Sequence, residues 1–364
     1  MKIGFIIYGS LDTLSGGFLY DRMNIDYLRR RGDQVIMFPL PFGSYSRNLA
    51  DNFSVSLLAT LAESPLDVLI EDELNHPSFF LLNRWLKRRA GYPVLSLVHH
   101  LRSSEPASRP LNAFYRQIER LYLQTIDGFI VNSATTLRSV EMLLGATRPS
   151  VIAHPGHDHL SAGIDRNAVS ERCRQPGPLR ILFLGNVIPR KGLHTLLAAL
   201  ADIAGEGWRL TVAGSTGVDP SYTRFIRQQA ERIGPGRVTV LGTVSQDELV
   251  RLLTESHCLA VPSFYEGYGI VFMEAMGFGL PVIAAHCGAV PEIVTDGREG
   301  VLVEPGDVAS LSSVIERLIR DRRLLETMSL SALTRHQRFP TWSDCGSAIR
   351  RFLTEFHLSS GRQP

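Results

Sequence analysis

LRILFLGNVIPRKGLHTLLAALA, Leu179–Ala201, passes from an almost uninterrupted apolar segment through a glycine-opened turn into a leucine- and alanine-rich helical pattern. A strand without polar alternation is covered on both faces, as in a parallel sheet flanked by helices. The same rhythm extends in both directions. Toward the C-terminus it predicts strands at Arg209–Ala213, Val238–Leu241, Cys258–Val261, Pro281–Ala284 and Val301–Val303. Helical patterns lie between them at Ser221–Ile233, Ser245–Glu255 and Val308–Arg320. Toward the N-terminus the strands fall at Lys2–Tyr8, Gln34–Phe38, Asp67–Ile70, Val94–His99, Gly128–Val131 and Ser150–Ala153, with helices such as Gly17–Arg31 and Asn112–Thr125.

The rhythm breaks once, at HPGHDHLSAGIDRNAVSERCRQPGP, His154–Pro178, where proline, glycine and charge replace strand periodicity. This reads as an interdomain connection. The expected layout is a first domain over 1–154, a linker over 155–178 and a second domain over 179–340. The length of 364 residues suits two such doubly wound α/β units. Open α/β sheets bind ligands beyond the carboxyl ends of their strands, so the loops that follow strands are where chemistry is sought.

Composition narrows the class. Hydrophobic residues make up 44% and charged residues 20%, which is a folded soluble chain. The net charge of +2 gives no field that would draw nucleic acid. Four scattered cysteines, Cys173, Cys258, Cys287 and Cys345, form no CxxC, so neither a zinc site nor a disulfide scaffold is expected, and a cytoplasmic setting is. The opening MKIGFIIYG reads as a first strand rather than a signal peptide, and no apolar run is long enough to span a membrane.

Three stretches carry chemistry. GNVIPRKG, Gly185–Gly192, follows a strand and precedes a helix, and it brings Arg190 and Lys191 to a helix N-terminus. Free amides and two cations together suit a phosphate, whereas cations alone are disfavoured there. SGG, Ser15–Gly17, sits between the first strand and a helix, where Gly16 and Gly17 let backbone amides approach a ligand. The dinucleotide pattern GxGxxG is missing, since the chain after Tyr8 reads GSLDTLSGG; this disfavours an NAD-dependent enzyme. PSFYEGYGIVFMEAMGFGLPVI, Pro262–Ile283, places Glu266 in a loop and Glu274 about one turn into a helix. Gly267 and Gly269 free the intervening backbone, and carboxylates accept hydrogen bonds from sugar and ribose hydroxyls.

Together these stretches resemble retaining glycosyltransferase family 4, with Glu266 and Glu274 as its Glu–x7–Glu pair and GNVIPRKG as its phosphate loop. DGFIVNSATT in the first half is similar to the family's domain-closing strand. The resemblance implies a GT-B fold: two facing Rossmann-like domains with a cleft between them, and a final helix at about 341–358 returning to the first. It implies transfer from a UDP-, GDP- or ADP-sugar with retention of configuration, no bound metal and no permanent cofactor. Arg190 and Lys191 would stabilise the departing diphosphate. Glu266 would contact sugar hydroxyls, and Glu274 the ribose. Gly185 would open the phosphate loop. The amides of Gly267, Tyr268, Gly269 and Ile270 would hold sugar and phosphate, and Gly16 and Gly17 would close over the phosphate. The family carries a sugar-contacting histidine near His99 and His100; alternation turns the two rings opposite ways, and His100, further into the loop, is favoured. The acceptor is a sugar, a lipid-linked glycan or a small molecule. A nucleotide-sugar epimerase and a non-catalytic nucleotide-sugar-binding protein are the alternatives.

Two segments are read more simply. The acidic run Glu71–Glu73 follows a strand, which would place it at the cleft against the acceptor; for Asp72 a solvated position is expected instead. HPSFFLLNRWLKRRAG, His76–Gly91, is expected as a helix covering the sheet with basic residues at its rim. Peripheral contact with the inner membrane surface is the other reading of that segment.

Overall fold

The computed structural model describes residues 1–13, 15–160 and 163–359, without the side chain of Ser359. By contacts the chain divides into two units, one of 1–156 with the chain from Pro340 onward, the other His157–Phe339.

The first unit holds a six-stranded parallel sheet of β1 (Lys2–Tyr8), β2 (Gln34–Leu40), β3 (Val68–Asp72), β4 (Val94–Val98), β5 (Gly128–Val131) and β6 (Ser150–Ile152). Their spatial order is β2-β1-β3-β4-β5-β6. The chain leaves β1 to one side and returns on the other, so the topological switch point lies between β1 and β3. β3, β4 and β5 are buried throughout, as expected of apolar strands covered on both faces. The helix Trp342–Ser359 belongs to this unit and packs on the helix Gly16–Arg30. Gly346 makes that approach close: a Cβ there would meet the Tyr27 ring at 2.3 Å.

The second unit repeats the plan with β7 (Leu179–Leu184), β8 (Trp208–Ala213), β9 (Val238–Gly242), β10 (Cys258–Val261), β11 (Val282–Ala285) and β12 (Gly300–Val303), in the order β12-β11-β10-β7-β8-β9. Its switch point therefore lies between β7 and β10. Within 155–178, read as a connection, residues Arg166–Arg174 form a helix that packs on the helix Arg322–His336 of this unit.

The segment His76–Gly91 is not one helix. It forms two short helices, His76–Phe79 and Leu82–Leu86. The break has a local cause: the Asn52 side-chain carbonyl accepts from the amides of Leu81 and Leu82 at 2.8 and 3.2 Å, taking them out of a helical ladder. Phe79, Leu82 and Leu86 enter the core, while Arg84, Trp85, Lys87, Arg88 and Arg89 stay outside. Among the described residues no helix is long and apolar enough to cross a membrane, and all four cysteines are free thiols.

Candidate functional site

In the second unit the loops after β7 and β10, the strands that flank the switch point, are stitched together. Pro189–Lys191 forms a short 3-10 turn, and Gly192 ends it at φ 71°. No other residue fits there, because a Cβ would meet the Pro262 carbonyl oxygen at 2.0 Å. Phe264 N donates to Arg190 O at 2.8 Å, and Arg190 Nη1 donates to Tyr265 O at 2.8 Å. Gly288 anchors the acidic loop from behind: at φ 51° its Cα passes so close to Glu266 that a Cβ would meet the Glu266 carbonyl oxygen at 1.9 Å. Ala289 N donates to that same carbonyl at 3.0 Å.

This stitching brings together the charged groups that the sequence singled out. Lys191 Nζ donates to Glu266 Oε1 at 2.6 Å, and Ser263 Oγ donates to the same oxygen at 2.6 Å. Arg190 Nη1 lies 3.9 Å from Glu266 Oε2. Glu266 is buried. Burial pushes its carboxyl pKa up, but the charges of Lys191 and Arg190 and the bonds from Lys191 and Ser263 outweigh that and hold it below the ordinary carboxylate value. The group is an anion at neutral pH, gripped by two cations.

Gly269, at φ 103°, begins the helix Ile270–Gly277, and no side chain caps that N-terminus. The helix from Leu193 likewise starts at Gly192 without a side-chain cap. Of these first-turn amides, His194 N donates to Tyr222 Oη at 3.1 Å and Phe272 N to Gly269 O at 3.0 Å; a helix N-terminus beside cations such as Arg190 and Lys191 is a setting in which phosphate oxygens bind. Gly185, at φ 143°, opens the turn after β7 and packs against the Lys191 stem. Glu274 is buried on the helix Ile270–Gly277, and its Oε1 pairs with His159 Nε2 at 2.7 Å. Sequence reasoning missed His159, which lies in the segment read as a featureless connection.

In the first unit, Ser15 Oγ accepts from Phe18 N at 3.3 Å, so Gly16 and Gly17 form the first turn of a capped helix. The histidine beside them is His99: a Cβ on Gly17 would lie 3.4 Å from its ring. His99 Nε2 pairs with Asp21 Oδ1 at 3.1 Å, and Tyr20 meets the ring edge-on. Burial lowers the imidazole pKa, but Asp21 first, then Asp72 and Glu73, raise it to about 9. His100, favoured from the sequence, turns instead to Glu105 Oε1 at 2.9 Å.

The acidic run corrects the expectation of a solvated Asp72. Glu71, Asp72 and Glu73 are 0–2% exposed. Burial raises each of their pKa values to about 8. Asn83 donates to Glu71 at 3.0 Å, and Glu73 lies beside His76 and the buried Glu119, whose pKa burial raises to about 7. Asp72 is expected outside because charged residues seldom sit inside, but protonation removes the charge.

Comparisons with known proteins point to the same class of enzyme. The family model described as "Glycosyl transferases group 1" matches residues 169–334. The chain is 28% identical over 312 residues to the D-inositol 3-phosphate glycosyltransferase of Nocardia farcinica, covering 78% of this chain and 68% of that one. It is 28% identical over 309 residues to the counterpart from Mycobacterium tuberculosis, covering 80% of this chain and 64% of the relative's length. Its fold is similar to sucrose-phosphate synthase of Thermosynechococcus elongatus, with a TM-score of 0.81 at 20% identity over 98% of this chain and 99% of the other. It is also similar to Anabaena HepE, solved with UDP-glucose, with a TM-score of 0.77 at 18% identity over 98% and 100% of the two chains. Two parallel six-stranded sheets flanked by helices make this a GT-B architecture, and the sequence relations support a glycosyltransferase.

Proposed function

We propose that this protein moves a sugar from a nucleoside-diphosphate sugar to a hydroxyl acceptor with retention at the anomeric carbon, as a member of family 4. One observation carries the reading. Arg190 and Lys191 meet Glu266 on the two loops that flank the switch point of the second sheet, with Lys191 at 2.6 Å. As the glycosidic bond breaks, negative charge collects on the diphosphate. Cations held in place where that charge collects stabilise the transition state more than the bound donor. Two fixed cations supply the charge compensation that a divalent ion gives elsewhere, so the reading is metal-independent.

In this scheme Glu266 accepts from sugar hydroxyls and also holds Lys191 in place. Glu274, fixed by His159, takes the ribose hydroxyls. The amides of Gly267, Tyr268, Gly269 and Ile270 bind sugar and phosphate. Gly16 and Gly17 keep their phosphate role by resemblance. Of the two histidines, His99 suits the sugar-contacting role better than His100, because it stands beside Gly17. The UDP-glucose in Anabaena HepE makes UDP-sugars the first donors to try. The name of the curated relatives makes a phosphorylated polyol the first acceptor.

The decisive assay incubates the protein with UDP-, GDP- and ADP-glucose, with and without acceptor and with excess chelator. Release of nucleoside diphosphate that survives the chelator, with an α-linked product by NMR from an α-linked donor, supports the proposal. An epimerised sugar formed from donor alone, or binding without turnover, overturns it. Peripheral membrane contact is a lesser part of the reading. Phe53, Val55 and Trp85 are 69%, 76% and 38% exposed, and Arg84, Arg88 and Arg89 are exposed too. Flotation with anionic vesicles tests it: loss on Trp85→Ala supports contact, and no flotation of the wild type removes it.

A further inference from the structure

The second unit carries another basic concavity, at the edge of its sheet remote from the donor loops. Residues Thr295–Glu299 precede β12, so they lie at the amino-terminal edge of a parallel sheet whose Arg190 and Glu266 loops follow β7 and β10 at the carboxyl edge. Against them stands one face of the helix Arg322–His336, where Thr327, Ser331, Thr334 and Arg335 recur at helical spacing and Arg338 follows. Together with Arg166 and Arg298 they line a cavity of about 370 Å³. That volume falls in the ~300–1,000 Å³ range of small-molecule sites.

Its charge is one-sided. Arg166, Arg298, Arg335 and Arg338 line it against a single carboxylate, Glu299. That carboxylate is already engaged, since Glu299 Oε1 accepts from Thr295 N at 2.8 Å and lies 3.7 Å from Arg335 Nε. Arg335 is spent on structure, donating to Ile293 O and Glu292 O at 3.1 and 2.8 Å and stacking over Phe339. The guanidinium groups of Arg298 and Arg338 have no partner among the described residues. Both line the cavity, and a phosphoryl group is well matched to planar guanidinium forks.

The hydroxyls narrow the ligand further. Thr327, Ser331 and Thr334 each donate their hydroxyl proton to the carbonyl four residues back, at 2.9–3.0 Å. Their oxygens are left as acceptors, and among the described residues only that of Thr334 is reached by a side-chain donor, Arg166 Nη1 at 3.4 Å. They therefore suit ligand hydroxyls that donate, whereas phosphate oxygens must be met by the arginines. We propose that this cavity binds a small phosphorylated molecule that also carries hydroxyl groups, through Arg298, Arg338 and Arg166, as a site separate from the donor loops.

The experiment titrates inorganic pyrophosphate and glucose 6-phosphate into the full-length protein by calorimetry. The wild type is compared with Arg298→Ala/Arg338→Ala and with Arg190→Ala/Lys191→Ala. The proposal expects glucose 6-phosphate affinity to fall at least tenfold in Arg298→Ala/Arg338→Ala and to persist in Arg190→Ala/Lys191→Ala. Both arginines are exposed, so the double variant should keep its ligand-free melting temperature. Phosphatidic acid vesicles form a second arm: capture that disappears in Arg298→Ala/Arg338→Ala would assign the phosphoryl group to a lipid headgroup. Identical isotherms for wild type and Arg298→Ala/Arg338→Ala, with no difference in vesicle capture, would overturn the site, whatever becomes of the donor reading.

Discussion

The two sheets each bury carboxylates at their carboxyl edges, and they do so in opposite ways. In the second unit Glu266 stays ionised, because Lys191 and Arg190 were brought inside with it. In the first, Glu71, Asp72, Glu73 and Glu119 have few cations near them, and burial raises their pKa values toward or past neutrality. His99 is the buried cation among them, lifted to about 9 by Asp21 and Asp72 against its own burial, while Lys87 and Arg102 act from farther out. A buried charge must be paired or discharged. The second unit, proposed to bind the diphosphate, holds preformed charge, and the first holds protons.

The largest test of that contrast is Lys191→Ala, which leaves Glu266 buried beside Arg190 alone. Breaking a buried pair costs about 3–5 kcal/mol, and loss of a leaving-group cation costs about a hundredfold or more in turnover. Urea unfolding and donor hydrolysis measure the two effects separately. Glu266→Gln and Glu73→Gln form the sharpest pair. The first strands Lys191 and should cost about 3 kcal/mol. The second replaces a protonated acid by its neutral isostere and should cost about 1 kcal/mol or less at pH 7. Equal losses would remove the distinction.

The contrast also predicts opposite pH limits. In the first unit the carboxyls have folded pKa values raised above their unfolded ones, so their neutral form is favoured on folding. Stability drawn from them is full below about pH 4 and drains away up to about 8. His99 adds stability below 6.5 that is lost as pH rises through about 9. His76, lowered to about 4, acts in the other direction and is outnumbered. In the second unit Glu266 is held below its ordinary value, so its contribution is present above 4.5 and lost as pH falls. His257 and His336, lowered to about 3 and 4, lose stability below 6.5. Hydrogen exchange, corrected for its intrinsic pH dependence, should show β1–β5 opening first between pH 7 and 9. β7–β11 should open first between pH 6.5 and 4. Parallel loss across both sheets at either limit would contradict this. The smallest effect expected is His159→Ala, which frees Glu274 and should weaken nucleotide binding about tenfold, with turnover of saturated enzyme little changed.

The twelve strands of the described residues were legible: the central ones because burial on both faces shows as an apolar run, and the partly exposed edge strands β6 and β9 because short β-branched runs lie between turn and helix patterns. So was the position of the basic turn, since GNVIPRKG sits between an apolar strand and a leucine-rich helix and the chain does form a turn at Pro189–Lys191 there. What the sequence hid depends on distant partners. Asp72 reads as surface until Asp21 and His99 are seen beside it. The break at Leu81 comes from Asn52, nearly thirty residues away. His159 finds Glu274 across 115 residues, and no local pattern encodes that meeting. The choice between His99 and His100 rested on which lies deeper in a loop. Packing of Gly17 against the His99 ring is what now favours His99 in the proposal.

The central claim is that the diphosphate binds at the Lys191 turn. The most direct measurement is a crystal structure of the protein with UDP, GDP or ADP bound, whichever gives the largest thermal shift. The account predicts phosphate oxygens within hydrogen-bond reach of Lys191 Nζ and the Arg190 guanidinium, with the ribose hydroxyls on Glu274. Pyrophosphate density lodged away from that turn would contradict it.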